Sequence, residues 1–165
     1  MSDPAKMSPS RSAGRRLARL GAVQAIYQML MNDVGGKVAA DDFLRHQLAD
    51  AAEGVDFAAL DRDHFNDVVR GVDDREPAID TAITAALDGD RGTHRLERIL
   101  FATLRAGTYE LLMRLDIPAR VVINEYVEIG HAFFDGPQPG FINGVLHRVA
   151  SAARPGELAD AKAAG

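Results

Sequence analysis

From Gly14 onward the apolar residues return at intervals of three and four, and nowhere do four or more β-branched residues alternate with polar ones. That period belongs to helices with one buried stripe, so the pattern predicts an all-α chain. A first helix is expected from about Gly14 to Asn32, with Leu17, Leu20, Val23, Tyr27 and Leu30 facing inward and Gly35-Gly36 ending it. A shorter one covers Ala40 to about Ala52 on Phe43, Leu44 and Leu48, and residues 53–56 break it. The next periodic run starts near Phe57 and carries Leu60, Phe65, Val68, Val69 and Val72, then Ile79, Ile83 and Leu87. Pro77 inside it suits a helix start and Asp88-Gly89-Asp90 a stop, so two consecutive helices are expected there.

Residues 93–115 read as one helix with Thr93 as N-cap and Leu96, Leu100, Leu104, Leu111 and Leu115 spaced for burial. Gly107 inside it costs roughly 1 kcal/mol against alanine, which points to a close approach by another helix. Asp116-Ile117-Pro118 stops the chain and restarts it, because the residue before proline leaves helical space while proline suits a first turn. The helix that follows carries Val122, Tyr126, Ile129 and Phe133. Residues 136–140 (Gly-Pro-Gln-Pro-Gly) read as a stiff loop before a last helix with Phe141, Val145 and Val149 inward. The expectation is about seven helices between two mobile tails, 1–14 and 154–165, which have no apolar period to pack.

Composition narrows the class. With 165 residues, 47% of them hydrophobic, the chain can bury a core, and having no cysteine it can form neither disulfides nor sulfur-bound zinc sites. No stretch reaches the roughly 18 apolar residues of a membrane span, and the first 14 residues lack a signal-peptide core, so a cytoplasmic location is expected. The net charge of -5 conceals a division. Residues 1–19 hold five bases against one acid, residues 41–97 hold fifteen acids against six bases, and the rest balances. Such a chain meets a polyanion at one end, and its acidic part suits a basic protein partner.

An enzyme is disfavoured. The five histidines are scattered without the i, i+4 pair of a zinc-binding helix, and Gly35-Gly36-Lys37 lacks the frame of a phosphate loop. Asp41-Asp42 and Asp73-Asp74 are adjacent rather than facing and read as solvated surface. No catalytic residue, metal ligand or cofactor site is assigned. The candidates for binding are Arg15, Arg16 and Arg19, in the first two turns of the first helix as predicted, where their charge opposes the helix dipole and helix stability alone would not select it. Arg11 lies on the lead-in. Arginine forks bind phosphate bidentately and stack on bases, yet the same spacing also fits a solvated basic helix end. By periodicity Tyr27 belongs to the core, while Phe141, after a loop of prolines and glycines, is free to be either core or base platform. Asn124 reads as a structural amide, and Asn143, beside Gly144, is able to reach a ligand.

These residues resemble a known family. Arg15-Arg16 with the segment Ala22 to Tyr27, Leu104-Arg105-Ala106 leading to Tyr109-Glu110-Leu111, Asp116-Ile117-Pro118 with Val122 to Glu125, and Phe141 to Leu146 are similar to the NusB family of transcription antitermination factors. The likeness spans about residues 15–152 and is most specific in the C-terminal half. It implies two stacked helical bundles, residues 15–90 and 91–153, without catalytic activity. It further implies binding of the boxA element of ribosomal RNA leader transcripts with NusE, a small-subunit ribosomal protein, in a complex with RNA polymerase and other Nus factors. The RNA would lie on the arginine-rich segment and extend towards the start of the last helix, with NusE mainly on the C-terminal bundle. Carried over, Arg15, Arg16 and Arg19 match the arginine-rich motif, and Tyr27 and Phe141 match aromatic positions on the RNA face, with Asn143 beside them.

The sequence also departs from the family pattern. Pro137 and Gln138 stand where many members have Asp-Ser, so that contact is not carried over, and His147 replaces a common aspartate with a side chain that charges near neutral pH. Two rival readings follow. A methyltransferase accessory domain would need an α/β cofactor domain for which no chain remains after residue 150. A protein-only scaffold or homodimer would use the arginines for solubility alone.

Overall fold

The computed structural model describes residues 4–49, 56–87 and 96–158. Seven α-helices and no strand occur among them: α1 (Pro4–Asn32), α2 (Gly36–Ala49), α3 (Arg62–Asp74), α4 (Glu76–Ala86), α5 (Arg98–Met113), α6 (Ala119–Phe133) and α7 (Gln138–Ala153). The all-α expectation and the number of helices are met. The chain forms two compact units, Met1–Asp73 and Asp74–Gly165.

In the N-terminal unit, α1 packs on α2 over an aromatic centre. Phe43 of α2 meets Phe57 edge-on and stacks with Phe65 of α3, each at 5.2 Å between ring centroids. Burying a phenylalanine such as Phe65 completely is worth about 2 to 3 kcal/mol. A Cβ on Gly21 would come within 2.9 Å of the Phe43 ring, so glycine is what allows α1 so close to α2. The stripe that α1 buries is Ala18, Ala22, Val23, Ala25, Ile26 and Met29. Leu17, Leu20, Tyr27 and Leu30 are only half-buried, so the true inward stripe is turned towards small residues that a search for large apolar side chains passes over.

Three boundaries differ from expectation, each for a local reason. The backbone of α1 is helical from Pro4, where a tail through residue 14 was expected: Pro4 suits a first turn, and the helix already nucleated by its packed turns continues through Pro9 and three serines despite their low propensity. It ends at Asn32, with Asp33 in the left-handed region at φ 52°, which aspartate tolerates, so Gly35-Gly36 is not its stop. Gly36 instead opens α2, four residues before the expected start. Its amide donates to Asp73 Oδ2 at 2.8 Å, so Asp73, exposed as expected, also caps a helix. The expected Thr93 cap, the break at 53–56 and the stop at 88–90 lie outside the described residues.

The C-terminal unit is built on α5, which packs against α4, α6 and α7. The division between the compact units falls at the α3–α4 break, with Pro77 in the first turn of α4. Two features draw α4 to α5: Ile79 and Ile83 are fully buried, and Arg105 of α5 grips α4. Its Nε and Nη2 reach Asp80 at 3.0 and 2.7 Å, Nη2 also reaches Glu76 at 3.1 Å, and the guanidinium lies 4.2 Å over the Phe101 ring. Gly107 performs the close approach its position predicts, since a Cβ there would fall 2.8 Å from Leu146 of α7 and 3.3 Å from Tyr126 of α6. Gly130 does the same for Ile142. Leu115, expected inside, is 69% exposed because α5 ends two residues earlier.

The segment after α7 is the largest correction to the expected tail at 154–165. Arg154 is buried and gives its guanidinium to backbone carbonyls: Nε to Leu111 at 2.9 Å, Nη2 to Glu110 at 3.1 Å and Arg114 at 2.9 Å, and Nη1 to Ile117 at 2.7 Å. Three of those carbonyls belong to the last turn of α5 and the residue after it, where helix geometry leaves acceptors without partners. Glu157 then accepts the Ala119 amide at 2.8 Å, capping the start of α6, and pairs with Arg154 at 3.4 Å. The residues past the last apolar repeat therefore fasten the α5–α6 turn.

Candidate nucleic-acid interface

Four of the candidate RNA-binding residues stand on α1 in the N-terminal unit, and two stand at the start of α7 in the C-terminal unit. On α1, Arg11 and Arg16 are exposed and Arg15 is half-buried. Because α1 begins at Pro4, these arginines lie in its third and fourth turns, beyond the first turn where the dipole acts, so their charge carries no dipole penalty.

Arg15 is held from below. The Asp61 amide donates to the Gly14 carbonyl at 3.0 Å, and a Cβ on Gly14 would come within 3.0 Å of the Ala59 carbonyl, so the loop before α3 lies directly against α1. Asp61 also caps α3 by accepting the His64 amide at 3.0 Å. Its other oxygen is 3.9 Å from Arg15 Nε, a nitrogen that is buried and has no hydrogen-bond partner. Asp61 thus holds the base of Arg15 by charge alone, leaving an unused donor beside an exposed arginine neighbour.

Arg19 does not join this track. It is only 3% exposed and is bonded within the protein, on the inward side of α1 next to Ala18, Ala22 and Val23. The i, i+4 spacing that aligned it with Arg15 is real, but α1 is covered along that line from this point onward. Tyr27, eight residues further and about 12 Å along the axis, is half-buried. The burial that its period predicts for Tyr27 is thus only partly met.

On α7, Phe141 is half-buried and Asn143 exposed. The helix begins earlier than the sequence suggests, at Gln138, with Pro137 as N-cap and Pro139 in the first turn. Proline's fixed φ suits that turn, so the Pro-Gly segment read as a loop is largely helix. The Phe141 amide donates to the Pro137 carbonyl at 3.1 Å. Asn124 is exposed on α6 and lines the same cleft as Asn143, so it is not the buried structural amide its neighbours implied. The buried polar pair of this unit is instead Glu110 and Tyr126, whose hydroxyl donates to Glu110 Oε2. The sequence signal for it was weak, a glutamate and a tyrosine each inside an apolar stripe.

Among the described residues no group of three or more histidine, aspartate or glutamate side chains comes together to hold a metal ion, and no helix is long and apolar enough to cross a membrane. What the geometry offers is an outward arginine face and accessible aromatic and amide side chains, which are the elements of phosphate positioning and base contact on single-stranded nucleic acid.

The NusB family model matches residues 16–151. The transcription antitermination protein NusB of Maricaulis maris is 43% identical over 160 residues, covering 96% of this chain and all of that protein. The protein of the same name from Caulobacter vibrioides is 44% identical over 148 residues, covering 90% of this chain and 99% of its own length. Among solved structures, T. maritima NusB superposes with a TM-score of 0.70 at 28% identity, over 88% of this chain and 96% of that one. With its seven helices and a family match that begins at Arg16 and ends past the core of α7, the chain belongs to the NusB family, whose relatives named here are transcription antitermination proteins.

Proposed function

We propose that this protein is a non-catalytic antitermination factor that binds boxA-type single-stranded RNA and acts with NusE beside RNA polymerase and other Nus factors. The observation that carries the reading is the α1 face of Arg11, Arg15 and Arg16, basic and outward in a chain whose net charge is -5. Guanidinium groups there fix phosphates, while accessible rings at Tyr27 and Phe141 and the amide of Asn143 supply stacking and edge contacts. Arg19 contributes by holding α1 in place. The acidic segment 41–97 suits a basic ribosomal-protein partner.

The test is fluorescence anisotropy of a labelled boxA RNA against a scrambled RNA of equal length at one salt concentration, with and without NusE. Preference for boxA that tightens with NusE is the expected result. Equal, purely salt-driven binding to both RNAs removes the sequence-specific reading, and no binding to either leaves a protein-only scaffold.

A further inference from the structure

Between α6 and α7, inside the C-terminal unit, lies a cleft of about 220 Å³. Arg120 and Asn124 line it from one helix at i, i+4, Asn143 and His147 line it from the other at the same spacing, and the buried Ile123 forms part of the wall. All four polar side chains are exposed, and none makes a hydrogen bond or ion pair among the described residues. Arg105, Arg114, Arg148 and Arg154 each hold a protein acceptor, whereas Arg120 holds none. No carboxylate lines the cleft.

We infer that this α6–α7 cleft is a nucleotide subsite, which seats one phosphodiester of single-stranded RNA between Arg120 and His147. The inference rests on the RNA-binding reading above and deepens it, seating one phosphodiester beside Asn143 and extending the contact to α6. The cleft is smaller than the usual pocket for a drug-sized ligand but admits a phosphate with part of its ribose. The guanidinium and imidazole are donors aimed at anionic oxygens. The two amides supply acceptors as well as donors, and a bare carboxylate would leave those acceptors idle. A ribose hydroxyl or a base edge next to the phosphate would use them. A phosphodiester of RNA therefore fits the donor and acceptor set better than an acidic side chain of a protein.

The variant Arg120→Ala/His147→Ala alters only exposed side chains, and circular dichroism checks that its helicity is kept. Anisotropy against boxA RNA is then measured from low to moderate salt for the unaltered protein, this variant, and His147→Asp. Binding by the unaltered protein with a loss of about five- to tenfold in the double variant, and a salt slope smaller by about 0.7, is the expected result for one lost phosphate contact on a single strand. His147→Asp should weaken binding more than His147→Ala, because it sets a carboxylate against the phosphate. If the unaltered protein binds and the double variant keeps both affinity and slope, the cleft is no RNA subsite and the inference fails while the antitermination reading stands. Loss of NusE binding with RNA affinity intact would also overturn it, by making the cleft a protein-docking site. Absence of RNA binding by the unaltered protein removes both.

Discussion

In the C-terminal unit, Arg105 and Arg154 are nearly buried and spend their donors on α4 carboxylates and on the carbonyls at the end of α5. In the N-terminal unit, Arg11 and Arg16 stand exposed, and Arg15 reaches only to within 3.9 Å of Asp61. One residue type thus serves as a buried clamp on α5 and after α7 and as exposed charge near the start of α1. Burial decides which. A guanidinium taken out of water is tolerable only if its donors are satisfied, so the buried ones must be structural, and the exposed ones have donors to offer a ligand.

The strongest way to break that contrast is Arg154→Ala. It would remove a donor from four backbone carbonyls, of which those of Glu110 and Arg114 keep a backbone N–H, and leave Glu157 without its pair, so a loss of about 3 kcal/mol in folding stability is expected. Urea unfolding followed by circular dichroism measures it. A change below about 1 kcal/mol would mean that water replaces the guanidinium and that the clamp is incidental. Arg154→Lys should recover only part of the loss, because an ammonium cannot span carbonyls on both sides of the turn.

A smaller effect sharpens the contrast from the packing side. Gly107→Ala gains helix propensity worth about 1 kcal/mol but places its methyl 2.8 Å from Leu146, which is fully buried and has little room to move. The expected net is a loss of about 1 kcal/mol. The pair Gly107→Ala with Leu146→Val should cost less than the sum of the single changes, and a double-mutant cycle by thermal or urea unfolding reads that coupling. Additive costs would show that α5 and α7 are not in contact through this glycine.

Helix type was legible in the sequence wherever large apolar residues carry the period, as in Phe65, Val68, Val69 and Val72 of α3 or Leu100, Leu104 and Leu111 of α5. Gly107 announced its close approach because a glycine inside a helix needs a reason. What escaped was set by partners distant in sequence. Asp73 caps α2 from 37 residues away, and Arg154 caps α5 from more than 40 residues away, so neither role has a local pattern. The buried side of α1 is carried by alanines, whose low bulk hides them beside Leu17 and Leu20. The same misreading put Arg19 on the surface. At the candidate site, residue type points to α1, but only the fold separates Arg16, which is exposed, from Arg19, which is buried.

Arg16→Ala is the smallest change in stability and the most informative about function. The side chain is exposed and lies in the middle of α1, so its loss should alter stability by less than about 0.5 kcal/mol, with alanine, if anything, favouring the helix. Its effect on RNA should be separate from that: a lower affinity for every RNA tested and a salt slope reduced by about 0.7, as expected for one phosphate released on a single strand. Arg19→Ala provides the opposite case, a clear loss of stability from a buried, bonded arginine. Its RNA affinity, measured at a temperature where the variant is still folded, should fall only as far as α1 is displaced. Unfolding curves and anisotropy on the two variants separate the roles. If Arg16→Ala leaves both affinity and slope unchanged, the exposed arginines of α1 are solvated charge, and the contrast between the units is one of burial without function.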